Sequence, residues 1–207
     1  MNITHVSDLH ADLHPLSTVY WPTDLWVFTG DIFHNFNPHE RDTEARMQRN
    51  WFRHHANHFR AAIGSTPVIV VDGNHDFACL ASEMRAIGLD ARGVDLTAWQ
   101  FGEHGFAGFG HIPYIAGTWA GEVDNETLDR LSVRSLASGA DVLVTHCPPA
   151  GILAAGFGNV PLAERLKGEH CVKTHLFGHV HEHAGEDVTI GPTRFYNGAL
   201  GARLVTL

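Results

Sequence analysis

The sequence lacks the features of membrane and secreted proteins. No apolar run approaches the ~20 residues that a transmembrane helix needs, and the amino terminus has neither the basic flank nor the apolar core of a signal peptide. The three cysteines, Cys79, Cys147 and Cys171, are far apart and show no CxxC spacing. These absences argue against a disulfide framework and a thiolate zinc site, and they predict a cytoplasmic protein without a membrane partner.

Basic residues are also scarce. Lysine and arginine together number 14 against 23 aspartates and glutamates, which gives a net charge of −9 with histidines neutral. This charge disfavours a polyanionic partner such as nucleic acid unless metal ions or a local basic patch intervene. The unusual count is that of histidine, with 17 copies. Because histidine is the commonest transition-metal ligand, the positions of these residues matter more than their number.

Short apolar runs alternate with helical patterns along the chain. Strand-like runs cover residues 2–6, 25–29, 67–71, 141–145 and 173–177, and each ends in a polar or glycine-containing loop. Helical spacing occupies residues 40–62, 78–87 and 125–137, and Asn159 is typical of a helix cap. The glycine- and aromatic-rich segments 99–118 and 183–207 indicate β hairpins. We therefore predict one α/β domain over residues 1–207, in which mixed sheets are flanked by helices.

Metal-ligand side chains stand at the carboxyl ends of the five strand-like runs. These residues are Asp8, His10, Asp31, Asn74, His75, His146, His179 and His181. Loops at the carboxyl ends of strands in layered α/β proteins gather on one edge, so these residues can meet. Imidazoles, carboxylates and one amide oxygen suit Mn, Fe, Co, Ni or Zn rather than calcium. The ligands are too many for one tetrahedral ion and indicate a pair of ions.

The order of these blocks resembles the calcineurin-like metallophosphoesterase superfamily. Asp8-x-His10, Gly30-Asp31, "GNHD" at 73–76, His146 and "GHVH" at 178–181 occur in the family's order, and "SDLH" and "THCPP" match as well. The resemblance spans residues 4 to about 200. It implies an αββα sandwich, made of two packed mixed sheets flanked by helices, with a dinuclear metal site at the strand carboxyl edge.

The resemblance also implies a role for each residue. Asp8, His10 and His181 hold the first metal ion, Asn74, His146 and His179 hold the second, and Asp31 bridges them. We expect two divalent ions, with Mn favoured and Fe, Zn, Co or Ni as alternatives. Hydroxide held between the ions attacks phosphorus, and His75 protonates the leaving group as general acid. Asp76 is expected to orient His75 by accepting a hydrogen bond from its ring.

The substrate class depends on finer motifs. The sequence lacks the "GDxxDRG" pattern of the protein phosphatases and carries "GNHD" rather than "GNHE", which favours a small phosphodiesterase and a small phosphoester substrate. "GDIFH" resembles the repair nucleases of the superfamily, in which the residue matching His34 approaches the substrate. The acidic charge and the short chain argue against a nuclease. A non-catalytic, metal-stabilised scaffold is a third alternative, against which all ligands and His75 are intact.

The arginine- and aromatic-rich segment 40–62 is the only basic stretch in this acidic chain. Its arginines could line a groove for an anionic substrate. An amphipathic helix with a solvated basic face is the favoured interpretation, since charge runs of this kind usually face water.

Overall fold

The computed structural model describes residues 1–95 and 97–207. Its described strands are β1 (Asn2–Ser7), β2 (Leu25–Phe28), β3 (Val68–Val70), β4 (Ala91–Gly93), β5 (Trp99–Phe101), β6 (His104–Phe109), β7 (Ile112–Pro113), β8 (Glu122–Val123), β9 (Val142–Thr145), β10 (Thr174–Phe177), β11 (Asp187–Ile190), β12 (Thr193–Asn197) and β13 (Gly201–Thr206). Its described helices are α1 (His14–Ser17), α2 (Arg41–His54), α3 (Ala56–Ile63), α4 (Leu80–Ala86), α5 (Asn125–Ala137) and α6 (Val160–Arg165).

The strands form two mixed sheets. The first sheet has the order β13-β1-β2-β3-β4, in which β1 to β4 are parallel and β13 is antiparallel to β1. The second has the order β11-β12-β10-β9-β6-β5, with a parallel centre and antiparallel edges. Strands β7 and β8 form a separate parallel pair. The central strands that precede the predicted ligands are therefore neighbours within each sheet.

Side-chain alternation places the sheets face to face between layers of helices. On β2, Leu25 and Val27 point into the core between the sheets, and Trp26 and Phe28 point to the opposite face, against α2, α3 and α4. On β9, Val144 packs between the sheets while its neighbour Leu143 packs against α5 and α6. Burial of both faces explains why these runs are continuously apolar. This arrangement confirms the expected αββα sandwich.

Two helices begin at side-chain caps. The Asp124 carboxylate accepts a hydrogen bond from the Thr127 backbone N–H at the start of α5. The Asn159 side chain accepts one from the Leu162 N–H at the start of α6, as its position before Val160-Pro161 predicts. Each cap satisfies an amide that the first helical turn leaves unpaired.

Three local predictions need correction. Segment 40–62 forms two helices rather than one, since the backbone leaves helical geometry at His55, whose ring Nδ1 lies 2.8 Å from the Trp51 carbonyl oxygen. Only residues 99–109 of the first glycine-rich segment form a hairpin, and β7 pairs with the distant β8 instead. In the carboxyl-terminal segment β11 and β12 form a hairpin, but β13 crosses to the first sheet and pairs with β1.

Within the described residues, we find no helix long and apolar enough to span a bilayer.

Candidate metal centre

The loops after five parallel strands bring the predicted ligand side chains together. Asp8 and His10 follow β1, Asp31 follows β2, and the remaining ligands follow β3, β9 and β10. Three sets of side chains have ligand atoms within 4.8 Å of one another: Asp8, His10 and His181; His10, Asp31 and His75; and Asp31, His146 and His179. The sets overlap at His10 and Asp31, so they form one continuous cluster, which Asn74 joins through His146.

Asp8 forms the buried base of one half of the cluster. Its Oδ1 lies 3.2 Å from His181 Nε2, and its Oδ2 accepts the backbone N–H of His179 at 2.9 Å. His10 Nε2 lies 3.3 Å from His181 Nε2. Burial alone raises the pKa of Asp8, but its hydrogen bond with His181 and the charge of His146 outweigh burial and lower it. An ionised carboxylate with two converging imidazole nitrogens suits a divalent ion.

His146 forms the buried base of the other half. Its Nδ1 lies 2.7 Å from the Thr29 carbonyl oxygen, which can only accept, so Nδ1 carries the proton. The other nitrogen, Nε2, faces Asn74 Oδ1 at 2.9 Å and Asp31 Oδ2 at 3.3 Å. If the His146 ring is neutral, its Nε2 is an acceptor, as are Asn74 Oδ1 and Asp31 Oδ2. Only a proton or a cation placed between these three acceptors can satisfy them. The residues present fit a metal ion.

The charges of Asp31 and His146 also favour a bound metal ion. Burial alone raises the pKa of Asp31, but the neighbouring His146, His75 and His10 lower it well below its usual range. Burial opposes protonation of His146, yet Asp31 and Asp8 raise its pKa to about 9. A divalent ion at this position can replace the proton that His146 otherwise holds, because both neutralise the same carboxylates.

The backbone around the cluster is strained. Asp8, His10, Asp31 and His179 have φ angles of 52°, 45°, 55° and 69°, in the left-handed region that non-glycine residues seldom adopt. Each such residue costs on the order of 1–3 kcal/mol, and such strain concentrates at functional sites. These strained backbone conformations belong to four predicted ligands, whose side chains all lie in the cluster.

Two glycines let these loops approach one another. A Cβ atom at Gly73 would overlap the Asp31 carboxylate, and one at Gly178 would overlap Asp8 Oδ2 and Ser7 Oγ. The glycines of "GNHD" and "GHVH" are therefore required by the close packing of the ligand loops.

Asp76 does not orient the ring of His75, so that prediction is wrong. Its carboxylate instead accepts four backbone N–H groups, from Asp31 (2.7 Å), Ile32 (2.9 Å), Phe33 (3.1 Å) and Gly73 (2.9 Å). Burial and the nearby Asp31 raise the pKa of Asp76 to about 7, against the pull of these donors. Asp76 thus joins the loop after β2 to the loop after β3 and holds Asp31 in place.

Asn35 is the residue that orients His75, and the sequence reasoning missed it. The Asn35 side-chain oxygen accepts from Nδ1 of His75, while its amide nitrogen donates to the His75 carbonyl oxygen at 3.3 Å. The Trp119 ring packs against His75 with the centroids 4.7 Å apart. Burial lowers the pKa of His75 more than Asp31 raises it. His75 Nε2 lies 3.9 Å from Asp31 Oδ2 at the open side of the cluster.

Helix α2 supports the loops that carry Asn35 and His75 through two buried polar side chains. The Gln48 side chain donates to the His75 carbonyl at 2.7 Å and accepts the N–H groups of Phe77 and Ala78. Glu44 accepts the N–H groups of the loop that carries Asn35. The nearest signal in the sequence is the i, i+4 spacing of two polar residues on the apolar face of α2.

Three arginines of α2 bind groups of the protein itself. Arg49 and Arg53 each lie 3.7 Å from Glu83 of α4, and Arg41 donates to the Gly117 and Trp119 carbonyl groups. The favoured interpretation of an amphipathic helix agrees with this arrangement.

His34 lies on the loop after β2, between Asp31 and Asn35. Its side chain is exposed and packs edge-on against Phe36, with ring centroids 5.7 Å apart. It belongs to none of the three ligand sets found among the described residues. A contact between His34 and a bound substrate therefore stays a prediction.

Comparison with known proteins agrees with this geometry. A family model described as calcineurin-like phosphoesterase matches residues 1–183, so the chain belongs to that family. A search of curated proteins found no match to the sequence. Among solved structures, the chain is similar to TT1561 of Thermus thermophilus, with a TM-score of 0.63, 15% identity, and coverage of 96% of this chain and 88% of that one.

A second similar structure is GAP50, the anchor in the inner membrane complex of Plasmodium. Its TM-score is 0.52 at 12% identity, and the match covers 97% of this chain and 71% of that chain. At these identities both structures show a shared fold alone, which is the one that positions the cluster.

Proposed function

We propose that this protein is a metal-dependent hydrolase of phosphoesters that acts on diesters in preference to monoesters. The observation that carries the proposal is the convergence of Asn74 Oδ1, Asp31 Oδ2 and Nε2 of His146 on one buried point. Two divalent transition-metal ions would bind here, with Mn favoured over Fe, Zn, Co or Ni. The residues that would hold them are Asp8, His10, Asp31, Asn74, His146, His179 and His181. When bound, the ions supply charge neutralisation of the phosphoryl oxygens and activation of water.

The protein's own side chains provide binding, orientation and proton transfer. Asp31 lies between the two halves and is proposed to contribute to both. The exposed fractions of the His10, His75 and His181 side chains are 25%, 27% and 42%, against 0% for Asp8 and His146. The cluster therefore has a buried base and an open rim, and a phosphoester reaches it from the rim.

His75 is proposed to protonate the leaving oxygen. Asn35 fixes the Nδ1 side of its ring, so the opposite nitrogen, Nε2, faces the rim and the Asp31 carboxylate. A positioned acid of this kind accelerates ester cleavage by about 10²–10⁴-fold. The lowered pKa of His75 makes its protonated form a stronger acid, and it also makes that form a smaller fraction of the protein near neutral pH.

The diester preference rests on the motifs "GNHD" and "GHVH" without "DRG". The net charge of −9 disfavours the nuclease alternative. The scaffold alternative is weakened by the convergence of every proposed ligand. A cytoplasmic location belongs to the same proposal and is supported by the free thiols of Cys79, Cys147 and Cys171.

The test is hydrolysis by metal-stripped protein before and after Mn²⁺ is added. The substrates are bis(p-nitrophenyl) phosphate, diphenyl phosphate and the monoester p-nitrophenyl phosphate. We expect Mn²⁺ to restore cleavage, and bis(p-nitrophenyl) phosphate to be cleaved with a higher kcat/KM than the monoester, which has the same leaving group. Absence of turnover with every metal would overturn the proposal and favour a binding scaffold.

The role of His75 is tested by a His75→Ala variant, with the exposed His58→Ala as control. The variant should lose about 10²–10⁴-fold in kcat on diphenyl phosphate, because phenolate leaves poorly without a proton. It should lose less on bis(p-nitrophenyl) phosphate, because nitrophenolate is a better leaving group. An equal loss on both diesters would contradict the general-acid role while leaving metal-dependent hydrolysis intact.

A further inference from the structure

A small pocket lies beside the candidate metal centre. One wall is the segment Pro113, Tyr114 and Ile115, a second is Phe157 with its two flanking glycines, and the proposed ligand His179 also lines it. Its volume is about 180 Å³, room for roughly six water molecules at ~30 Å³ each. Apart from His179, these lining residues carry no charged side chain. A molecule bound at the metal centre can therefore extend between uncharged side chains, two of which are aromatic.

The wall that carries Tyr114 is held in a defined shape. The Glu122 carboxylate accepts backbone N–H groups from Ile115, Ala116, Gly117 and Trp119. From the other side, Arg41 donates to the Gly117 and Trp119 carbonyl groups at 3.1 and 2.9 Å. The same loop thus presents Trp119 to His75 and Tyr114 to the pocket at His179.

The wall that carries Phe157 is hydrogen-bonded to the loop that carries the proposed ligand His146. Cys147, which follows His146, donates its S–H to the Phe157 carbonyl oxygen at 3.2 Å. The Asn159 backbone pairs with Pro148 and Ala150, so the segment that carries Phe157 returns to the end of β9. Phe157 therefore keeps its position relative to His146.

The exposed aromatic faces indicate what the pocket holds. Tyr114 and Phe157 are 66% and 60% exposed, although their rings belong to anchored walls. Apolar surface of this kind marks interaction sites, and the volume suits one flat ring system rather than a long chain or a protein segment. Aromatic side chains bind planar groups by stacking, with little dependence on the identity of the ring.

We propose that this pocket binds a planar aromatic group, a nucleobase or an aryl ring, that is attached to the phosphoryl group in the substrate. Tyr114 and Phe157 are its specificity-determining residues. The inference rests on the proposed phosphodiesterase function and adds the chemical class of the ester's organic part.

The test compares three diesters that share p-nitrophenolate as leaving group. Their other substituent is thymidine (through its 5′ oxygen), phenyl or methyl. With Mn²⁺ present, we expect kcat/KM for the thymidine or phenyl ester to exceed that for the methyl ester by about 10-fold or more, as stacking of one ring predicts. The thymidine and phenyl arms distinguish a nucleobase from a simple aryl group.

The variants are Tyr114→Ala and Phe157→Ala, with Tyr20→Ala as control because Tyr20 is 91% exposed outside the pocket. The first two should reduce the preference to about twofold, and the control should keep it. If wild-type protein cleaves all three esters equally, or if the preference survives in both pocket variants, the inference fails while the hydrolase proposal stands.

A binding measurement covers the case in which no ester is cleaved. Saturation-transfer NMR with thymidine 5′-monophosphate should show contact of the base with wild-type protein and a reduced signal with Phe157→Ala. Equal signals for the two proteins, or no signal at all, would overturn the pocket assignment independently of catalysis.

Discussion

At the scale of single residues, the side chains that support the cluster matter as much as the ligands. Asp76 and Asn35 both act between loops: Asp76 joins backbone groups of two loops, and Asn35 holds the ring of His75. Neither role can be read from sequence spacing, because each depends on groups more than 35 positions away along the chain. The residue type nonetheless carries information, since the "GNHD" motif places Asp76 in the site although it does not identify its partners.

The Asn35 contact leads to a kinetic prediction. Asn35→Ala should lower kcat on diphenyl phosphate about 10-fold or more and change KM less, because the ring of His75 loses its acceptor. Asn35→Asp keeps an acceptor and should recover most of the activity. The measurement is steady-state kinetics of both variants, with the exposed Asn57→Ala as control. Equal defects in Asn35→Ala and Asn35→Asp would contradict a positioning role.

At the scale of elements, the sheets position the ligands and the helices secure the loops between them. The ligand loops follow β1, β2, β3, β9 and β10, and α2 fixes the loop after β3 through Gln48. Strand β1 carries the first ligand pair and lies between β2 and β13. Along the pairing of β13 with β1, Asn2 lies opposite Thr206 at one end and Ser7 lies opposite Gly201 at the other. The last described strand therefore supports the strand that leads into the first ligand loop.

Strand β13 offers a matched pair of neighbours for a stability prediction. Val205 is 1% exposed, pairs with Ile3 and packs in the core between the sheets, whereas Leu204 is 42% exposed. Val205→Ala should lower the free energy of unfolding by about 2 kcal/mol, from lost burial and a residual cavity. Leu204→Ala should change it by no more than about 0.5 kcal/mol. Urea denaturation of both variants measures the difference, and similar losses would contradict the assigned facing of β13.

At the scale of the whole molecule, two buried histidines tie stability to pH. His5 of β1 and His175 of β10 are fully buried, and each hydrogen-bonds to a threonine, Thr29 and Thr145 respectively. Burial is the main reason why the pKa of each histidine falls from an ordinary 6.5 to about 3. The positive charge of Arg203 lowers the pKa of His5 further, and His5 lowers that of His175. Below pH 6.5 the unfolded chain therefore binds protons that the folded chain excludes, so these groups favour unfolding as pH falls towards 3.

His175→Gln isolates one of these groups, since a glutamine amide can still donate to Thr145. Relative to this variant, the unfolding free energy of metal-free wild-type protein should fall by up to about 1.4 kcal/mol per pH unit between pH 6.5 and 3. Urea denaturation of both proteins at pH 7, 6 and 5 tests the expectation. Parallel pH curves would show that His175 does not titrate differently on folding.

The sequence by itself determined the five strands that precede the ligands, the class of fold and the candidate ligands. Runs such as residues 67–71 are apolar on both faces because both faces are buried, and each ligand is adjacent along the chain to the strand that carries it. Residue type and local order therefore suffice for these features.

The tertiary structure decided the partners and the surroundings of the ligands. In the folded protein Asn35 contacts the ring of His75, and Asp76 accepts four backbone N–H groups. His34 belongs to none of the ligand sets found among the described residues, and a pocket forms between Tyr114 and Phe157. Each of these depends on loops that are distant in sequence and meet only after the two sheets have packed. Their contacts depend on distances and directions between side chains, which local propensity and spacing do not encode.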